Sequence, residues 1–483
     1  MVKRLCILLI ILICCELTEA QKIVNLLHYG AKGDGIADDS KALATALKNC
    51  EDGSILTGNK RTFKIASPIS ISLKSMYLRD LNIVLSNVYT NKEYINIECN
   101  DVTLEDIKID GGRGTYKKGF EQWSVFANEN NIESITPMSP DLFKFVGLRQ
   151  DAKFKIKNLT ASNLHASSCL TIITYGNVLL ENIVFRNLSN KTFHVYHSID
   201  DGRTVKGKTI VNVAKATDVG ILPSIIIVNK KLYKTNAYKY MPQASFNFIV
   251  SFGSYYAKNI VVNNYGSCGL TSDRNIDFMG DSIFIFNNTE KTFSNNPSGG
   301  LWLEASKNVI IKNAFINISK RNTVDKTYDN SALHIFGKNS KINISDFTIY
   351  SNSSNSYLNK GIRGSFYGNN TVYINNLQLY GLYKTAGVGF DIWDDLRTNS
   401  TQVNFNNVKT DTENWYFSDN YQLSIDKFVS LNNKLKFNYK LSNKKPKSYI
   451  NITNDNIKNI VVSSKTETTK IERLNERKIE TIK

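Results

Sequence analysis

The chain has 483 residues, 42% of them hydrophobic, and 60 Lys and Arg against 43 Asp and Glu give it a net charge of +17. Cys6, Cys14 and Cys15 lie within the first twenty residues, while Cys50, Cys99, Cys169 and Cys268 are widely spaced and form no CxxC pair. That usage excludes a disulfide scaffold and a structural zinc site; the four later cysteines form at most two bridges, or stay as buried thiols.

The first predicted element is a secretory signal over residues 1–20. Lys3 and Arg4 supply a basic start, Leu5 to Cys15 an apolar run, and Thr18-Glu19-Ala20 a small-residue exit. Eleven apolar residues are too few to span a bilayer, and no later segment offers eighteen, so a secreted protein without a stable membrane anchor is expected. Export argues against a nucleic-acid partner. Ten N-x-Ser/Thr sequons between Asn158 and Asn451 permit N-glycosylation in a eukaryotic secretory route.

Next comes Ile23 to Cys50, IVNLLHYGAKGDGIADDSKALATALKNC. Gly30, Gly33 and Gly35 allow a tight turn, and Asp38 or Asp39 is placed to cap a helix N-terminus. Leu43, Ala46, Leu47 and Cys50 share one face of that helix. Such a helix can cover a sheet edge that would otherwise pair with other chains. Asp34, Asp38 and Asp39 read as turn and cap residues rather than catalytic carboxylates.

From Met76 onward one unit recurs: apolar, any, apolar, any, Asn or Asp, apolar, any, apolar. Met76, Leu78, Asp80, Leu81 and Ile83 give the first copy; Val102, Leu104, Asp106, Ile107 and Ile109 the second. Further copies centre on Asn158, Asn182, Asn313, Asp346, Asn376 and Asn407, with partial ones at Ile260-Val262-Asn264 and Ile283-Ile285-Asn287. Period-two alternation on both sides of the Asn/Asp implies two short strands with inward apolar faces. The one-residue break between them requires a sharp corner, and Asn and Asp tolerate the left-handed backbone better than other non-glycine residues. Stacked coils would align the corner amides into a hydrogen-bonded ladder. The expected fold is an all-β, right-handed parallel β-helix over residues 21–435, capped by residues 21–50. Two spacings are longer than a coil: 52 residues from Val102, read as two coils, and 82 from Val178, read as irregular coils.

Ile23 to Cys50 closely resembles the opening segment of the pectin-lyase-like superfamily, which includes polygalacturonases, pectate-lyase-3-type proteins and some phage tailspikes. The resemblance implies a polysaccharide-active protein and, by analogy with the tailspikes, allows a homotrimer. Polygalacturonases carry Asn-Thr-Asp, Gly-Asp-Asp-Cys, Gly-His-Gly and Arg-Ile-Lys motifs in that order. At the corresponding places this chain has Ser139-Pro140-Asp141, then Ser167-Ser168-Cys169, then Phe193-His194-Val195-Tyr196-His197. Asp141 thus falls near the first family Asp and His194 in the His region. Ser167 and Ser168 replace both central carboxylates, and a Ser hydroxyl does not do a tuned carboxyl's acid–base work. No Arg-Ile-Lys follows; Arg203 and Arg363 are loose candidates.

Three other acidic groups are candidates. Asp200 and Asp201, with His194, His197 and Arg203, occupy a long irregular stretch that could wall a cleft. Asp273, Asp277 and Asp281 could hold Ca²⁺ bridging to a uronate, with Arg274 as base, if the chemistry is that of a lyase; hydrolysis needs no cofactor. Asp391, Asp394 and Asp395 surround Trp393. Trp123, Trp302 and Trp393 are candidates for stacking on sugar rings. His28 and His334 stand apart and read as packed or surface histidines.

The last segment, residues 436–483, is polar and basic. From Lys434 to Lys483 thirteen Lys and Arg face five Asp and Glu, and weak periodicity beyond Leu441 suggests a solvated extension. The rest of the chain is still basic, which suits an anionic polymer such as a polyuronate or sulfated glycan. Two functions follow: cleavage of an acidic polysaccharide by hydrolysis or elimination, or a non-catalytic glycan-binding or structural β-helix.

Overall fold

The computed structural model describes residues 21–85, 94–112, 142–147, 149–164, 168–188, 191–196, 225–228, 231–234, 253–265, 268–273, 277–287, 299–304, 307–318, 331–351, 360–367, 369–382, 386–391, 401–418, 421–432, 435–440, 449–452, 459–463, 471–473 and 478–482.

These residues coil into a right-handed parallel β-helix with two long sheets of 17 and 14 strands. The first sheet carries the corners. Its central strands, such as Lys153–Leu164 and Asn177–Leu188, run straight through the corner residue and pair in parallel with the next coil on both sides of it. Val102, Phe154, Val178, Tyr255, Phe278, Val309, Ile342 and Val372 stack in one inward column, rung upon rung, and all are buried. Each such side chain contributes about 1.5–3 kcal/mol through burial.

The corner is left-handed, as expected. Asp80, Asp106, Asn158, Asn182, Asn259, Asn313, Asp346, Asn376 and Asn407 all have φ between 50° and 57°. Their side chains form the ladder: Asn158 donates to Asp106 at 2.8 Å, Asn182 to Asn158 at 2.9 Å and Asn259 to Asn182 at 2.9 Å. A second left-handed column, Asn163, Asn187 and Asn264, forms a parallel ladder at 3.2 and 3.3 Å.

The register corrects three details of the repeat. Val102 pairs directly with Phe154, so the 52-residue interval is one coil with a long excursion, not two coils. Asn182 and Asn259 are likewise neighbours in the ladder although 77 residues apart, so the second long interval is also a single coil. A short antiparallel hairpin, Ile225–Val228 with Lys231–Lys234, lies within that excursion. In the partial copies the corner precedes the apolar leg. The corners there are Asn259 and Ser282, while Asn264 belongs to the second column and Asn287 is buried, donating to the Tyr265 carbonyl. The loss of Asn at position 282 hid the frame.

Outside the core, the row just before the corner alternates in charge: Arg79, Glu105, Lys157, Glu181, Lys258, Asp281 and Lys312 occupy successive rungs. Lys157 and Glu181 approach to 2.7 Å, and this bond from Lys157 holds the Glu181 carboxyl below its ordinary range.

The helix α1 (Ser40–Asn49) buries Leu43, Ala46 and Leu47 and packs on Ile69–Ser72, the first strand of the second sheet. Asp39 occupies its N-cap position but makes no side-chain cap bond; it accepts instead from the Lys32 and Gly33 amides at 2.7 and 3.1 Å. Asp38 takes the capping contact, accepting from the Ser40 amide at 3.0 Å. Asp34 closes its own turn on the Ile36 and Ala37 amides. At the other end the sheets pass residue 435, the boundary drawn from composition. Tyr449–Ile452 and Asn459–Ser463 extend the first and second sheets, followed by Ile471–Arg473 and Lys478–Ile482. Short alternating runs such as Ile-Val-Val and Lys-Ile-Glu-Thr-Ile suffice for this.

Candidate functional site

The second sheet follows each corner, and its side chains vary from coil to coil. In the strands Gly299–Glu304, Ser331–Lys338 and Lys360–Tyr367, the core takes Leu301 and Leu303, Leu333 and Ile335, and Ile362. By alternation, Trp302, His334, Phe336, Arg363 and Ser365 project from the opposite face. Register aligns one row across this face: Thr171, His194, Thr271, Trp302, His334, Arg363 and Gly389.

His334 is the centre of that row. Its ring lies 3.8 Å from the Trp302 ring and 4.1 Å from that of Phe336, centroid to centroid. It is 1% exposed, and neither ring nitrogen finds a hydrogen-bond partner among the described residues. Burial, then the charges of Arg363 and Lys360, push its pKa well below the ordinary 6.5, so it is neutral at pH 7. The Lys360 chain crosses Gly389, where an added Cβ would meet its Cδ at 2.5 Å; only glycine leaves that path open. Ser365 adds a wholly buried hydroxyl without a partner among the described residues. A buried imidazole that is both donor and acceptor, beside an indole and two cations, is equipped to meet hydroxyls and a negative charge.

A second register row lies two residues further along these strands. Tyr196, Asp273 and Glu304 lie on three successive rungs, and Phe336, Ser365 and Asp391 share the row further along. Asp273 and Glu304 are therefore in-register neighbours, their Cα atoms one strand spacing apart, about 4.8 Å.

Of the candidates read from sequence, His194, Asp273, Trp302 and Arg363 occupy register positions in these two rows. Phe143–Gly147, Ser168–Thr174 and Lys191–Tyr196 stand on successive rungs. Ser168 is buried and pairs with Lys191, while His194 pairs with Thr171. Asp141, His197, Asp200, Asp201, Arg203, Trp123 and Trp393 lie outside the described residues.

Asp277 and Asp281 lie apart from one another. Both lie on the first-sheet strand Asp277–Asn287, four residues or about 13 Å apart, while Asp273 ends a strand of the second sheet. Asp277 accepts from Ser254 at 3.1 Å and Asn308 at 2.5 Å, and Asp281 lies between Lys258 and Lys312 in the alternating row. These surroundings do not fit a Ca²⁺ ion, and no three His, Cys, Asp or Glu side chains gather among the described residues. His28 is exposed, whereas His334 is packed, as expected, but on the outer face.

Glu304, Lys360 and the role of His334 were not singled out in the sequence. The signal was present: Leu-Thr-Ser-Asp, Leu-Trp-Leu-Glu, Leu-His-Ile-Phe, Ile-Arg-Gly-Ser and Val-Gly-Phe-Asp are copies of one second-sheet strand, beginning at residues 270, 301, 333, 362 and 388. Aligned on their first residue, they yield both rows directly.

No protein-family model matches the chain, and no curated protein matches its sequence. Solved structures do resemble it. An exopolygalacturonase of Thermotoga maritima aligns with TM-score 0.40 and 12% identity over 85% of this chain and 91% of its own. A family 28 exopolygalacturonase of Yersinia enterocolitica gives TM-score 0.32 and 13% identity over 89% and 78%. PfbA, a surface adhesin of Streptococcus pneumoniae, gives TM-score 0.32 and 13% identity over 84% and 91%.

Proposed function

We propose that this is a secreted protein that acts on an acidic polysaccharide, cleaving glycosidic bonds along the outer face of its second sheet. The observation that carries this reading is the row Trp302, His334 and Arg363. An indole for a sugar face, cations for an acidic substituent and a neutral imidazole for hydroxyls are the groups a charged sugar requires. The rise of about 4.8 Å per coil lets a linear glycan touch several coils at once. The net charge of +17 favours an anionic chain by long-range attraction.

A non-catalytic glycan binder is the second reading. It is favoured by Ser168, a buried hydroxyl where polygalacturonases carry a carboxylate. One experiment separates the two: incubate the full chain with polygalacturonate and with sulfated glycans, following reducing ends and absorbance at 235 nm. New reducing ends alone mean hydrolysis, and both signals mean elimination. Retention on glycan-coated beads with neither signal supports the binder, and no retention on any acidic glycan overturns both readings. Because the surroundings of Asp277 and Asp281 do not fit Ca²⁺, EDTA is expected to leave cleavage unchanged.

A further inference from the structure

We infer that the outer face of the first sheet, on the side before the corner, is an interface between two copies of this chain packed with their helix axes antiparallel. This face lies on the other sheet from the glycan site, so the inference stands apart from that reading.

Two rows of outward side chains run along this face. Leu179, Tyr256, Met279 and Ile310 occupy four successive rungs and form an apolar row. It is bounded by Lys155 on the rung before and by Asn343 on the rung after. Tyr256 is 36% exposed and Met279 38%, while Leu179 and Ile310 are half-buried. Two residues further along each strand, on the same side of the pleat, the alternating row reads Glu181, Lys258, Asp281 and Lys312.

The two rows share one centre, between the rung of Tyr256 and Lys258 and the rung of Met279 and Asp281. A two-fold axis through that centre, running along the strands, turns a second copy end for end and brings the two faces together. Apolar then meets apolar: Leu179 lies against Ile310 of the second copy and Tyr256 against its Met279, a thioether on an aromatic ring. The charges meet opposites, Lys258 against Asp281 and Glu181 against Lys312, and the symmetry makes each contact twice. Lys153 faces Lys341 at the exposed rim, where long side chains turn to solvent.

A two-fold axis along the helix does the reverse. Centred on the charged row, it sets every charge against its like. Centred on the apolar row, it sets Asp281 against Asp277 and makes no opposite pair on these four rungs. The order of charges therefore selects the antiparallel pair and works against the parallel one. Four rungs of about 4.8 Å by four residues of about 3.3 Å make a patch smaller than a stable complex buries, about 800 Å² per partner, so a reversible dimer of micromolar Kd is expected.

The test is sedimentation of residues 21–483, which hold every described element. A bacterial host keeps the Asn343 sequon beside the patch bare. Between about 1 and 200 µM the parent should pass from monomer to dimer, and raising the salt from about 50 to about 500 mM should weaken the dimer at least threefold. K258E and D281K should each weaken self-association at least tenfold, because each sets two like pairs across the axis. Mixed one to one, the two variants should form a heterodimer with Kd within about threefold of the parent's, since both pairs are then opposite in sign. Each chain keeps its own altered row in the mixture, so in-chain pairing predicts no recovery. M279E, which places a charge against Tyr256 twice, should abolish the dimer. A parent that stays monomeric or forms a trimer overturns the inference, as does a dimer indifferent to these variants or a mixture no tighter than its components. Should K258E or D281K fold poorly, as read by its melt, the parent and M279E decide.

Discussion

His334 shows how a single residue records the character of its surroundings. Above pH 6.5 it is neutral in both folded and unfolded chains and adds nothing to the pH dependence of stability. Below 6.5 the unfolded chain protonates it freely, whereas burial and the Arg363 and Lys360 charges resist that proton in the folded chain. Stability is therefore lost as the pH falls from about 6.5 toward the depressed folded value. Thermal melts between pH 8 and pH 5 should show this acid limb in the parent and a shallower one in H334Q. Equal slopes would mean that the ring is solvated. Cys99 makes a second residue-scale case. Burial pushes its thiol up to about 11, and it donates to the Asp101 carbonyl at 3.1 Å. The four later cysteines are free thiols, three buried and Cys50 half-buried. Ellman's reagent on a protein of residues 21–483 should find at most Cys50 quickly and all four after denaturation. Prompt reaction of two or more would contradict the packing.

At the scale of the element, the corner was the most legible feature because its physics admits few residues. A left-handed φ between two apolar strands selects Asn and Asp, and that choice repeats at nearly every coil. It became illegible where the choice lapsed, at Ser282 and at Lys427, both of which still adopt φ near 50°. The functional rows were harder to read. Residues 194, 273, 302, 334 and 363 are scattered in sequence, and only register brings them together. Excursions of different length between the two sheets remove any fixed spacing, so the corner frame predicts the core but not the outer face. The ladder itself is testable. Asn182 both donates to Asn158 and accepts from Asn259. N182A removes those bonds and places a Cβ residue without amide compensation in a left-handed corner, an expected cost of about 2–4 kcal/mol. N182G spares the backbone term and should recover about 1–2 kcal/mol of it. Denaturant titration measures both; equal losses would assign the cost to the ladder bonds alone.

For the whole molecule, a parallel β-helix is a stack in which each coil contacts mainly its neighbours, so both ends need protection. At one end α1 (Ser40–Asn49) lies on the first strand of the second sheet, and this cap was legible from the glycine turn and the apolar face of the helix. The other end was misjudged from composition. Its lysine-rich polarity suggests solvated chain, yet alternating Ile and Val residues carry four further strands onto the two sheets. Deleting residues 441–483 should therefore expose strand edges, lower the melting temperature and promote self-association by light scattering. An unchanged melt and a monomeric truncation would show that the last strands add nothing to the stack.

The outer face of the second sheet is the proposed glycan site. A crystal structure of the full chain with an acidic oligosaccharide tests it most directly. Density for sugar rings should lie along the rows of Trp302, His334 and Arg363, with an acidic substituent against Arg363 or Lys360. Sugar bound on the first sheet, or at neither sheet under saturating ligand, would contradict it.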